Sequence, residues 1–415
     1  VQEAISENAA TCSSLLEKYK REIAKRKALH DALVELKGNI RVYVRPKPLL
    51  ESEGVPSVFS HDPDDDTVIS VPLKGRNFQL EKVFTSEATQ SEVFNQVSAL
   101  IQSVLDGRNV CIFAYGQTGS GKTYTMEGSF EDAGVNQRAL KLLYDETQRA
   151  TNMTYDIKAS MMEIYNETIR DLLGSDPSEK LEVKMKPEGG LHVPGLVAVP
   201  VKSLDEINRI SKVAQENRVT ASTMMNEHSS RSHCILCVSV EETNLITGSK
   251  TRGRLNLVDL AGSERVSKSQ VEGTRLKEAQ SINRSLSCLG DVINALKNHH
   301  THVPYRNSRL TYLLQESLGG DSKTVMILQV SSHPDNLNET LSTLAFGQRV
   351  FSVELNTKNT PSSARRPQSE TPSSARKLYL PSDNAAGDNT ASRTPTNSLV
   401  KASSVPCRLN IKRDA

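Results

Sequence analysis

Apolar positions along this chain change period several times, and the changes outline its elements. Within residues 1–37, Leu16, Tyr19, Ile23, Arg26, His30 and Leu33 follow alternating three- and four-residue spacing among charged residues. That spacing predicts a helix carrying a coiled-coil seam, imperfect at Arg26 and His30, or else an amphipathic helix packed on its own domain. Gly38 suits the left-handed cap that ends it. Short apolar runs then predict strands at Ile40–Val44, Thr67–Leu73, Val110–Tyr115, Tyr155–Tyr165, His233–Thr243, Arg252–Asp259 and Thr324–Val330. Helical spacing recurs at Ser91–Leu105, Gln137–Thr147, Leu204–Val219, Thr274–Asn298 and Asn338–Val353. Strands mixed with helices in this way predict an α/β sheet covered by helices on both faces.

The junction after the third predicted strand carries the chemistry. Gly116-Gln117-Thr118-Gly119-Ser120-Gly121-Lys122-Thr123 fits the phosphate-binding loop G-x-x-x-x-G-K-[ST], between an apolar strand and a run that can open a helix. The glycines let backbone N–H groups turn inward around oxyanions, and the helix N-terminus adds partial positive charge. Lys122 is placed to reach β/γ-phosphates, and the Thr123 hydroxyl to ligate Mg²⁺. A Gly/Ser-rich surface loop would have no reason to place Lys-Thr at this offset.

Two more segments turn nucleotide binding into a mechanism. Leu255-Asn-Leu-Val-Asp259 is an apolar strand ending in a carboxylate suited to hold the water shell of Mg²⁺, and Gly262 and Glu264 follow it closely. Gly262 is placed to offer its N–H to a γ-phosphate. The cluster Asn226-Glu-His-Ser229-Ser230-Arg231-Ser-His233 offers hydroxyls at Ser229 and Ser230 for phosphate and metal, and Arg231 as a bidentate partner for a carboxylate such as Glu264. Alone, a strand-end Asp is often a turn residue and such a cluster a solvated loop. Following a phosphate loop in this order, they predict one site.

Together, G-Q-T-G-S-G-K-T, N-x-x-S-S-R-S-H and D-L-A-G-S-E resemble the P-loop, switch I and switch II of a kinesin motor domain. The resemblance runs from about Gly38 to Leu355 and includes Glu163-Ile-Tyr-Asn-Glu167, Ser281-Ile-Asn-Arg-Ser-Leu286 and Val303-Pro-Tyr-Arg-Asn-Ser-Arg-Leu-Thr311. It implies a P-loop NTPase motor fold with a central mixed sheet of eight main strands and three helices per side. The domains would be a neck helix at 1–38, a motor at 39–355 and a tail at 356–415. A helix before the motor is similar to the C-terminal-motor, minus-end-directed kinesins, and within them most like the animal branch.

The resemblance also implies roles. ATP or ADP with Mg²⁺ would sit on Gln117 to Tyr124, with Lys122, Ser229, Arg231, Gly262 and Glu264 serving hydrolysis and Glu264 taking the water proton through a relay. Thr123, Ser230 and, through water, Asp259 would hold the metal. Arg45 and Pro48 in Arg45-Pro46-Lys47-Pro48 would flank adenine on one side and Tyr124 on the other, with Lys47 standing where the family has a second arginine and Pro46 stiffening the turn. Lys268, Arg275, Lys277, Tyr305, Arg306 and Arg309 match microtubule-contacting positions. The expected partners are microtubules and a second copy joined through the N-terminal coiled coil. The competing readings are a nucleotide-regulated microtubule tether without stepping, and a P-loop ATPase unrelated to filaments.

Composition adjusts this picture in three places. The 415 residues hold 51 Lys and Arg against 49 Asp and Glu, a net charge of +2, so any basic binding face is local and no nucleic-acid partner is implied. There is no run of eighteen apolar residues and no signal-peptide pattern, so no transmembrane helix is predicted, and the resemblance implies a cytoplasmic, cytoskeleton-associated protein. The six cysteines are scattered, and Cys234 and Cys237 lie in one predicted strand, which argues for reduced thiols and against zinc. From Asn356 the chain turns to Ser, Thr, Pro and Asn, repeats Thr-Pro-Ser-Ser-Ala-Arg at 360–365 and 371–376, and is locally basic. Such a tail is predicted to be disordered, either a solvated end or a phosphorylation-switchable tether to an acidic surface.

Overall fold

The structure, a computed structural model, describes residues 2–36, 40–49, 54–62, 64–129, 131–176, 178–187, 190–220, 230–265, 274–319 and 322–353. Its centre is a mixed sheet. In chain order the strands are β1 (Ile40–Lys47), β2 (Lys82–Val83), β3 (Asn109–Tyr115), β4 (Met153–Tyr165), β5 (Thr168–Asp171), β6 (Val199–Pro200), β7 (His233–Asn244), β8 (Lys250–Asp259) and β9 (Lys323–Ser331). They lie in the order β6-β4-β7-β8-β3-β9-β1-β2, eight strands across, with β5 folded back on β4 as a hairpin. The β8-β3-β9-β1-β2 half is parallel and the β6-β4-β7-β8 half antiparallel.

Alternation along the central strands explains why both faces are covered. In β3, Cys111, Phe113 and Tyr115 point to one side and Val110, Ile112 and Ala114 to the other; β9 divides Met326, Leu328 and Val330 from Val325 and Ile327 in the same way. The first side is closed by α6 (Thr274–Lys297), α9 (Leu337–Phe351) and the broken helix α7–α8 (Arg309–Leu313, Gln315–Gly319). The second is closed by α2 (Gln90–Leu105), α4 (Val135–Arg149) and α5 (Leu204–Thr220). Helix α2 begins with a reciprocal capping box between Thr89 and Glu92. The short α3 (Lys122–Met126) opens directly from the phosphate loop. Cys234 and Cys237, three apart in a strand, face opposite cores and cannot share a metal.

The structure departs from the sequence expectations at identifiable points. The run at Thr67–Leu73 forms only Val68–Val71, in a separate three-stranded antiparallel sheet with Ser60–His61 and Arg76–Gln79, and Pro72 starts a 3₁₀ turn that ends it. Pro46 does not turn the chain; it lies within β1 opposite Val330. The pairing of β1 with β2 reaches only Tyr43 and Val44, so the other edge is free at Pro46 and no ladder bond is lost.

Helix α1 (Gln2–Leu36) packs its C-terminal third, Arg26 to Val34, on the α2 side of the fold. Arg26 pairs with Asp106 at 2.6 Å, Lys27 with Glu242 at 3.0 Å, and His30 reaches the Ser103 hydroxyl at 3.1 Å. Asp31 bridges Arg108 at 2.5 Å and Lys323 at 3.4 Å, while Val34 is buried in the α2-side core. Arg26 and His30, expected to weaken a coiled-coil seam, instead dock the helix. Ile5, Cys12, Leu15, Leu29 and Leu33 are exposed at heptad-compatible spacing, Leu33 being shared with the predicted seam. Residues 37–39, at the expected junction, and the tail lie outside the described residues.

Close packing predicts opposite signs for two glycine substitutions. A Cβ at Gly253 would stand 2.0 Å from the Val104 carbonyl oxygen, whereas one at Gly290, within α6, would meet nothing within 4 Å. Gly253→Ala is expected to cost about 1–3 kcal/mol. Gly290→Ala is expected to add up to about 1 kcal/mol through helix propensity. Urea unfolding of the two variants checks both.

Candidate functional site

The site grows from neighbouring parallel strands that end at the same level. β3 ends at Tyr115, and the chain passes so close to β9 at Gly116 that a Cβ there would be 2.2 Å from the Gln329 carbonyl oxygen. Gly119 and Gly121 adopt φ of +77° and +99°, conformations that favour glycine, and Gly121 caps α3. Lys122, at the first position of that helix, is 6% exposed and donates from Nζ to the Gln117 carbonyl at 2.9 Å. Burial lowers its pKa, with Asp259 and Glu264 opposing.

Asp259 ends β8 opposite Ala114 of β3. Its Oδ2 accepts from the Thr123 hydroxyl at 2.7 Å, and its buried Oδ1 has no hydrogen-bond partner among the described residues. Burial raises the carboxyl pKa, and Arg218 and Lys122 oppose that shift. A buried carboxylate oxygen left open beside a lysine, a threonine hydroxyl and a glycine-shaped loop fits a hydrated divalent cation held with a phosphate.

Glu264 closes over the loop from the other side. Its carboxylate accepts from the Thr118 backbone N–H at 2.8 Å and the Thr118 hydroxyl at 2.6 Å. Gly262 has no room for a side chain, since a Cβ would lie 2.3 Å from both Glu264 Oε2 and Thr118 Oγ1. Its N–H donates to the Ser230 carbonyl at 2.8 Å, and the Ser263 N–H to the Gly116 carbonyl at 3.1 Å, so the segments are zipped by backbone. The expected Arg231–Glu264 pair is not formed here. Thr118 occupies Glu264, and Arg231 pairs with Glu278 of α6 at 3.0 Å.

A cleft of 500 Å³ is lined by Lys47, Pro48, Thr118, Gly119, Lys122, Thr123, Tyr124 and Ser230. A second, of 440 Å³, continues past Pro48, Tyr124 and Ser120 to Thr89 and Asp132. The two clefts share Lys47, Pro48, Gly121 and Tyr124 and so join beside the phosphate loop. Arg45 corrects an expectation. Although it borders the second cleft, its guanidinium is tied to Gln90, Thr125 and the Ala88 carbonyl and is 5.3 Å from the Tyr124 ring. It therefore fixes the wall behind the tyrosine. Lys47 reaches the Gly119 carbonyl at 3.1 Å instead.

The comparisons with known proteins agree with this geometry. The kinesin motor domain family matches residues 51–353. This chain belongs to the kinesin motor family. Among similar kinesins, KIN-14E of Oryza sativa subsp. japonica is 49% identical over 360 residues, 85% of this chain and 33% of that protein. KIN-14R of Arabidopsis thaliana is 48% identical over 353 residues, covering 83% of this chain and 32% of its own. The chain thus spans about a third of the length of these relatives. A solved structure of the C-terminal motor and motor homology domain of Kar3Vik1, fused to a synthetic heterodimeric coiled coil, superposes with TM-score 0.72 at 40% identity, covering 84% of this chain and 94% of that one.

On this kinesin, sequence reasoning missed Arg218. From α5 it reaches Glu127 at 3.6 Å, Glu163 at 3.8 Å and Asp259 at 4.0 Å, all inside the protein. The legible signal was Glu163 itself, a carboxylate within the otherwise apolar Met161-Met-Glu-Ile164. The residues expected on the track face divide. Lys277 and Arg306 are exposed, the latter lying 5.6 Å over the Tyr312 ring, and Arg309 is half-buried. Tyr305 is partly buried, packing onto the α6-side core and against Gly319. Ser229, Lys268 and the Arg275 side chain lie outside the described residues.

His233 links the motor's parts. Its Nδ1 accepts from the Ala261 N–H at 3.0 Å, so Nε2 carries the proton and donates to Ser285 Oγ of α6 at 2.7 Å. Burial, with Lys122 and Arg218 nearby, pushes its pKa down to about 3. The unfolded chain, at the ordinary value of about 6.5, binds a proton that the folded chain refuses. Stability contributed by neutral His233 is therefore complete above the unfolded value and is lost as pH falls from there toward about 3. Thermal unfolding across that window is expected to show a shallower acid-side slope for His233→Gln than for the natural chain.

Proposed function

We propose that this chain is the motor of an ATP-hydrolysing kinesin that moves along microtubules toward their minus ends. The observation that carries the reading is the meeting of Lys122, Thr123, Asp259 and Glu264 around one glycine-shaped loop. Phosphoryl transfer asks a protein for position and charge stabilisation more than for covalent chemistry. Lys122 exchanges the Gln117 carbonyl for phosphate oxygens, and the loop amides from Gly119 to Thr123 surround the β-phosphate. Thr123, Ser230 and, through water, Asp259 are the groups that would hold Mg²⁺. When bound, Mg²⁺ neutralises charge on the phosphates. Glu264 leaves Thr118, pairs with Arg231 and accepts the proton of the attacking water through a relay. The N–H of Gly262 and the hydroxyl of Ser229 complete the γ-phosphate wall, Pro48 and Tyr124 the base pocket.

Lys268, Arg275, Lys277, Arg306 and Arg309 supply a local basic face for acidic tubulin, which is compatible with a net charge of only +2. Minus-end direction draws on the helix ahead of the motor and on the likeness to the C-terminal motor of the solved Kar3Vik1 structure. The relatives compared are plant KIN-14 proteins, so we carry forward the C-terminal-motor class and not an animal branch. The protein would work in the cytoplasm on the microtubule cytoskeleton.

The exposed α1 stripe supports pairing with a second copy. If the two helices run parallel and in register, Cys12 meets its counterpart at the seam. Mild oxidation is then expected to give a disulfide-linked dimer on non-reducing gels, abolished by Cys12→Ser.

ATP turnover with and without microtubules tests the main reading. We expect strong stimulation in the intact chain and a loss of about two orders of magnitude or more in Lys122→Ala. Co-sedimentation without stimulation would leave only a tether, and plus-end gliding would overturn the direction.

A further inference from the structure

We propose that Glu278 and Tyr165 are positioning residues that hold Arg231 away from Glu264 and so set how readily the phosphate pocket closes. The inference rests on the closure of Arg231 onto Glu264 described under the proposed function. One oxygen of Glu278 binds Arg231 Nη1 at 3.0 Å, and the other accepts a short hydrogen bond from the Tyr165 hydroxyl. With both oxygens engaged, the carboxylate has a fixed direction. Tyr165 ends β4, where the chain reverses through Asn166 and Glu167, both at positive φ, and its ring lies 5.5 Å from the Arg170 guanidinium. The hydroxyl is thus presented from a stiff hairpin.

The arginine has little else to move. Ser232 and His233, directly after it, are buried, and His233 is tied to the Ala261 N–H. Changing partner therefore requires mainly the Arg231 side chain to swing. The side chains of Arg231 and Glu278 are 34% and 20% exposed, so their attraction is only partly screened. Meanwhile each Glu264 oxygen is hydrogen-bonded by a Thr118 donor. Both carboxylates are satisfied without each other's partner, which makes this arrangement a stable alternative to the closed one and not a step toward it. Because Glu278 is carried by the first turns of α6, any displacement of that helix moves the acceptor and changes the balance between the two pairings.

The test is single-turnover ATP hydrolysis by the full chain without microtubules, with hydrogen exchange at residues 230–233 in the ADP-bound protein as a second readout. Glu278→Gln keeps the size but removes the charge, and Tyr165→Phe removes only the hydroxyl. Hydrolysis is expected to rise roughly two- to fivefold in Glu278→Gln, the range for a partly exposed ion pair, and less in Tyr165→Phe. Exchange at 230–233 is expected to rise in both, and combining them should add little to Glu278→Gln alone. In an Arg231→Gln background, Glu278→Gln should change neither readout. Unchanged hydrolysis and exchange in both single variants, or equal changes in the Arg231→Gln background, would overturn the proposal. Slow hydrolysis in Glu264→Ala and Arg231→Gln confines such a failure to the Glu278 contact; normal hydrolysis in those two variants removes the closure reading, and this proposal with it.

Discussion

Thr123 and Asp259 meet at 2.7 Å because β3 and β8 are parallel neighbours in register. Everything around the phosphate loop depends on that adjacency. Lys122 and Asp259 are each almost fully buried, a position neither charge would tolerate alone. Placed at the ends of adjacent strands they offset one another, and Arg218 and Glu163 extend the same compensation inward. The backbone continues it: Leu260 donates to Ala114 and Ser263 to Gly116, so the segment after β8 follows the course of the loop after β3. A change felt at the loop thus has a short covalent and hydrogen-bonded path to Glu264.

This arrangement also explains why small residues recur at the site. Gly116 lies against the β9 backbone and Gly262 against Glu264 and Thr118, each at a separation a methyl group would violate. The space denied to side chains is what lets three segments remote in sequence approach to hydrogen-bonding distance. His233 serves the same economy of space with a polar group, accepting from one segment and donating to a helix on the other side.

Much of this was readable before the structure, and the misses have physical reasons. Long strands with two-sided apolar alternation, such as β3 and β9, announce themselves, as does the phosphate loop at a strand end. Two-residue strands such as β2 and β6 carry no period to read. Pro46 looked like a turn because its partner on only one side could not be known from sequence. Which α1 side chains dock is decided by Asp106, Ser103 and Glu242, which the α1 spacing alone does not show. Arg231 pairs with Glu278 in this structure for a similar reason: two glutamates are within its chemistry, and choice between them depends on what else each is bound to. Arg45 was assigned to the ligand from the resemblance alone; it is 7% exposed, lines the second cleft and holds its wall.

Strand β9 carries one more consequence. At its beginning Lys323 meets Asp31 of the N-terminal helix, and at Gln329 its carbonyl supports Gly116. Six residue steps of extended chain separate these points by about 20 Å. The strand is buried along its whole length between hydrogen-bonded neighbours. The leading helix and the phosphate loop therefore rest near the two ends of a single stiff rod, so mechanical load borne by the former reaches the latter without crossing a loop.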